Sequence, residues 1–93
     1  MLTDRVRQAY FGVASDVDPA LPRIPPDAIT AEGGDVLVRT RLDASSAGAR
    51  QAMLVCRVIR LGRVPGVRSI AVRGARLLLV HTVGPQLRCA AAG

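Results

Sequence analysis

Residues 35–43 read Asp35-Val36-Leu37-Val38-Arg39-Thr40-Arg41-Leu42-Asp43, and residues 44–61 follow as Ala-Ser-Ser-Ala-Gly-Ala-Arg-Gln-Ala-Met-Leu-Val-Cys-Arg-Val-Ile-Arg-Leu. The first stretch alternates at period two. Val36, Val38, Thr40 and Leu42 share one side and Leu37, Arg39 and Arg41 the other, which predicts a strand over 35–43 with the first set inward. In the second stretch the period changes. At about 100° per residue Ala49, Ala52, Val55, Cys56 and Ile59 fall on one side, and Arg50, Arg57 and Arg60 on the other. That spacing predicts an amphipathic helix from about Ala44 to Leu61, capped by Asp43, Ser45 or Ser46, with an all-positive outer face.

Downstream, Gly62 stops the helix and Val64-Pro65-Gly66 turns the chain. A strand is expected over Arg68–Arg73 with Ile70 and Val72 inward, then a Gly74-Ala75 hairpin turn and a second strand over Leu77–Val83. The remaining residues, 86–93, are small and apolar and are expected to be a mobile tail unless Cys89 tethers them. Upstream, Asp27–Ala31 reads as a short strand joined to the next by Gly33-Gly34. Pro19, Pro22, Pro25 and Pro26 make 18–26 a stiff, extended linker rather than a helix. The string Pro19 to Arg23 also has the form that proline-reading modules bind. A first helix is expected over about Thr3–Ala14, with Thr3 as its cap and Leu2, Val6, Ala9, Tyr10 and Val13 at helical spacing. The expectation is a single α+β domain over 1–93, in the order α-β-β-α-β-β, with two helices packed on one face of a three- or four-stranded sheet.

Charge divides the chain. Five arginines against seven acids leave residues 1–43 at −2, whereas eight arginines and no acid put residues 44–93 at +8, together the +6 of the whole. There is no lysine. GC-rich coding also favours Arg over Lys, so the weight of the argument rests on the missing acids after Asp43. A guanidinium grips carboxylate or phosphate bidentately, which points to an anionic partner. Aromatic residues are 2% of the chain, Tyr10 and Phe11 alone, so the core must be aliphatic and the basic half has no platform on which bases would stack.

Little here suggests catalysis. The lone His81 sits in the apolar run Leu77–Val83 and reads as a hydrogen-bonded core or edge histidine. The carboxylates cluster at caps and turns of the N-terminal half, and no nucleophile-base pair stands out. No metal site, cofactor or catalytic residue is therefore expected. Cys56 and Cys89 lack metal-ligand spacing and are read as a possible disulfide fastening the tail to the second helix, with free thiols as the cytosolic alternative. Gly62-Arg63-Val64-Pro65-Gly66 is not a phosphate loop, since Pro65 removes a donor and no Lys-Ser/Thr follows.

The pattern Gly-x-Val-x-Val-x-Thr-x-Leu at Gly34 to Leu42, followed by a helix with Arg50-Gln51-Ala52 and by Pro65-Gly66-Val67-Arg68-Ser69-Ile70, resembles the BON domain of bacterial envelope and stress proteins. The resemblance covers 27–73, or about 2–80 with the first helix. Thr40 stands where that family typically has glycine, and Val72 where it has a polar residue. The resemblance implies a non-catalytic module that binds phospholipid headgroups, envelope polymers or protein partners.

The function expected is a binding or scaffolding module that meets an acidic protein or phospholipid surface through Arg39, Arg41, Arg50, Arg57, Arg60, Arg73 and Arg76. The alternative is a nucleic-acid binder that touches only the phosphate backbone. A homo-oligomer or a subunit of a larger assembly would use the same arginines. No apolar run approaches the roughly 20 residues of a membrane span. The expected location is cytoplasmic if Met1 is the natural start, and exported if the natural chain begins earlier.

Overall fold

The chain runs α1 (Leu2–Val17), a short 3-10 helix (Pro26–Ala28), β1 (Ile29–Glu32), β2 (Asp35–Arg39), α2 (Ser46–Leu61), β3 (Ser69–Arg73), β4 (Leu78–Val83) and β5 (Arg88–Ala91). This is a computed structural model, and it describes residues 2–17, 22 and 24–92, without the side chains of 13–17. The strands form one sheet in the order β1-β2-β3-β4-β5. Neighbours are antiparallel except β2 and β3, which are parallel with Val36 opposite Ile70 and Val38 opposite Val72. A hairpin cannot join parallel strands, so the chain needs a crossover, and α2 supplies it.

The register puts Ile29, Val36, Val38, Ile70, Val72 and Val80 on one face of the sheet, all buried. Against them pack Ala52, Val55, Cys56, Val58 and Ile59 of α2 and Val6 and Tyr10 of α1. Both helices therefore share one side. Each fully buried aliphatic side chain contributes on the order of 1.5–3 kcal/mol relative to exposure. The opposite face, with Leu37, Ala71 and His81 in register across β2, β3 and β4, carries no helix among the described residues.

Local chemistry fixes the start of α2. Ser45 is the N-cap, its hydroxyl accepting from the Gly48 N–H at 3.1 Å. Asp43 accepts in turn from the Ser45 hydroxyl and from its backbone N–H, bonds that hold the Asp43 carboxyl below its ordinary value. Gly48 is required here, because a Cβ would lie 2.1 Å from the Asp43 carbonyl oxygen.

Several boundaries differ from the sequence expectation. The sheet has five strands rather than three or four, because the tail, expected to be mobile unless Cys89 tethers it, is tethered and forms β5 against β4, with the Ala92 N–H donating to the Leu79 carbonyl at 2.9 Å. Asp27 belongs to the 3-10 helix, not to β1. The strand expected to reach Asp43 ends at Arg39: Thr40 turns its hydroxyl onto the Arg73 carbonyl at 2.7 Å, and only Val36 and Val38 of its inward set are fully buried. Of the linker, residues 18–21 and 23 lie outside the described residues, and Pro26 already belongs to the 3-10 helix. His81 is neither core nor edge. It is half-buried in an interior strand, on the uncovered face between Ala71 and Ala90.

Thr3 is not a cap, since α1 begins before it and runs on to Val17 rather than Ala14. Its hydroxyl reaches the edge of β1 instead, donating to the Ala31 carbonyl at 3.2 Å and accepting from the Ala31 N–H at 3.1 Å. Arg7 Nε donates to the Ile29 carbonyl at 3.0 Å. α1 thereby blocks outward backbone groups that would otherwise offer an open strand edge. Thr3→Val should cost about 1–2 kcal/mol, because it leaves two part-buried backbone groups without partners. Thr3→Ser should retain most of that stability. Thermal unfolding reads the difference, at roughly 4–8 °C per kcal/mol for a domain of this size; equal stability of the two variants would mean that the hydroxyl does not anchor α1.

Tyr10 is 1% exposed, and among the described residues nothing bonds its hydroxyl. Burial holds its pKa above the ordinary value. The unfolded chain therefore ionises first, so this residue's contribution is complete below about pH 10 and is lost as pH rises through the folded value. Tyr10→Phe should be neutral or stabilising by up to about 1 kcal/mol at pH 7 and should flatten the loss of stability above pH 10. Denaturant unfolding at both pH values checks this, and a variant destabilised at pH 7 would contradict it.

Candidate functional site

Three exposed arginines recur at intervals of three, Arg57 and Arg60 on the last turns of α2 and Arg63 in the turn that follows it. They line a groove of about 570 Å³ together with Leu61 and with Pro85, Gln86 and Leu87 of the β4–β5 turn. Among the described residues no carboxylate lines it. Among the described residues the single ion pair is Arg7 with Asp4 at 4.0 Å, on α1. The helix end presents the equivalent of about half a negative charge, which three full guanidinium charges exceed several-fold. The groove is thus electropositive, with an apolar element in Leu61, which is 64% exposed.

Its backbone is under local strain. Among the described residues only two that are not glycine adopt left-handed conformations, Arg63 at φ 47° and Leu87 at φ 55°, and both line this groove. Such conformations cost about 1–3 kcal/mol each and are retained where the surroundings impose them. One imposition is covalent. Cys56 and Cys89 are joined in a disulfide, with Cα atoms 6.2 Å apart, so β5 is bound to α2 one residue before Arg57. The bridge holds the β4–β5 turn beside the helix end and so holds the two walls of the groove together.

The other arginines singled out in the sequence do not join this cluster. Arg50 is exposed seven residues before Arg57, on nearly the same side of α2. Arg39 and Arg73 are register partners on the uncovered face of the sheet. Arg39 and Arg41 also line a second concavity, of about 590 Å³, which contains Asp27. Arg76, in the β3–β4 turn, borders a small pocket of about 140 Å³ with Leu42, Leu77 and Leu79. The basic surface is therefore several sites, not one. Arg63, Gln86 and Leu87 are not among the site residues expected from the sequence. The spacing Arg57-x-x-Arg60-x-x-Arg63 could have included Arg63, whereas the turn residues depend on the fold of the tail.

In comparisons with protein-family models, with curated proteins and with solved structures, nothing matches this chain. Among the described residues no helix is long and apolar enough to cross a membrane, and no three His, Cys, Asp or Glu side chains are grouped to hold a metal ion.

The disulfide closes a loop across a sequence separation of 33 residues, so reduction should cost roughly 3–4 kcal/mol on the chain-entropy account. Urea unfolding with and without reductant measures this cost. Thiol counting in denatured, unreduced protein from its native compartment should find no free thiol; two free thiols would remove the bridge.

Proposed function

We propose that the chain is a non-catalytic binding module that holds an acidic protein segment through its arginine-rich surface, centred on the groove of Arg57, Arg60 and Arg63. The observation that carries this reading is the convergence in one concave site of an exposed leucine with three guanidiniums that form no ion pair among the described residues. Carboxylates of a bound segment would take the guanidiniums bidentately, while Leu61 and Leu87 would receive apolar side chains. A concave site suits a chain segment better than a flat phospholipid surface. Phosphate-backbone binding would use the same charges, but Tyr10 is buried and Phe11 lies on α1, so no aromatic residue accompanies the arginines.

The BON-like reading belongs with this proposal, since the module it implies is likewise non-catalytic. A disulfide that organises the groove favours work in an oxidising compartment.

Binding should be tested with a labelled Asp/Glu-rich peptide, anionic vesicles and duplex DNA over a salt series. The combined variant Arg57→Glu with Arg60→Glu should weaken peptide binding by roughly tenfold or more at low salt. Its circular dichroism should be unchanged, because both residues are exposed. Peptide affinity indifferent to salt and to the double substitution would overturn the reading. Tighter binding to vesicles or DNA than to the peptide would replace the partner proposed here.

A further inference from the structure

The uncovered face of the sheet is self-complementary in charge. Its middle row runs across all five strands as Thr30, Leu37, Ala71, His81 and Ala90. Beside one end lie Glu32 and Asp35, opposite each other on β1 and β2; beside the other lie Arg39 and Arg73, opposite each other on β2 and β3. Asp35 and Arg39 share this face but stand four residues apart, about 13 Å along a strand, too far to pair within the chain. Ser69 donates its hydroxyl to Asp35 at 2.7 Å, and no cation is paired with Asp35 among the described residues.

We propose that this face is covered by a second copy of the chain, in a dimer whose two-fold axis lies along the middle row. Rotation about that axis reverses the strands and sets each over its own copy. Leu37 then meets Leu37 of the partner subunit, and Asp35 lies over the partner's Arg39, with the reciprocal pair on the other side of the axis. Sheets packed face to face stand about 10 Å apart with strands within about 30° of alignment, which such an arrangement permits. The other face-to-face two-fold, along the strands, is disfavoured by the same register. It would keep the central β3 over itself and stack Arg73 on the partner's Arg73.

Magnitudes set the strength. Four strand spacings by about five residues give a face on the order of 19 by 15 Å, in projection less than half of the roughly 800 Å² per partner of a standard interface. The dimer is therefore weak, concentration-dependent and salt-sensitive. It engages the side of the sheet opposite α2, so the arginine groove contributed by that helix stays accessible, and dimerisation stands or falls independently of peptide binding.

Sedimentation velocity at low salt, from about 5 to 500 µM, covers the relevant affinity range. The wild-type chain should pass from monomer to dimer. Asp35→Arg and Arg39→Asp, alone, should each weaken association by roughly tenfold or more through like-charge contacts. Mixing these two variants should produce a heterodimer tighter than the wild type, and combining both substitutions in one chain should restore self-association. Ala71→Glu, at the centre of the face, should abolish the dimer, with circular dichroism confirming the fold of every variant. A wild-type chain monomeric throughout, a dimer unaffected by either reversal, or variants that fail to associate on mixing would each overturn the proposal.

Discussion

One-sided burial governs this fold. The β2–β3 pair is parallel, so the connection between them must cross over the sheet, and α2 makes the crossing on the face that Val36, Val38, Ile70 and Val72 present. α1 joins α2 on that face and bonds the backbone of β1 through Thr3 and Arg7. With both helices committed to one side, Arg57 and Arg60 face outward beyond the core, and the other side of the sheet is left with alternating charge and small apolar residues.

The aliphatic core has few ways to hold the C-terminal strand. β5 is four residues long, and its members Arg88, Cys89, Ala90 and Ala91 supply little apolar surface. The disulfide to Cys56 compensates by binding the strand to the most buried part of α2. A structural element thereby shapes the candidate site: the segment that completes the sheet also brings Pro85, Gln86 and Leu87 against Arg57, Arg60 and Arg63. The strain at Arg63 and Leu87 lies where these two segments meet.

The sequence was informative where a pattern answers to one dominant force. Period-two alternation at Val36 and Val38, and the stripe Ala52, Val55, Cys56 and Ile59, each reflect burial against a single surface. Reading failed where two partners compete for one group. The Thr3 hydroxyl suits a helix cap or a distant backbone equally well, and only the docking of α1 on β1 decides between them. The 88–91 segment has no alternation that depends on burial and low intrinsic strand preference at its alanines, so its state is set by β4 and Cys56. Of the candidate site, Arg57 and Arg60 were legible from helical spacing. The wall opposite them was not, because it depends on the tail's tertiary path.

On the function proposed, the end of α2 and the β4–β5 turn form one anion-binding surface, separate from the uncovered sheet face. Amide-resolved NMR of ¹⁵N-labelled protein titrated with an acidic peptide at fixed protein concentration tests that division directly. The predicted result is saturable shifts at Arg57, Arg60, Leu61, Arg63, Gln86 and Leu87, with Leu37, Ala71 and His81 unmoved. Shifts confined to the sheet face, or spread evenly over all thirteen arginines, would contradict it.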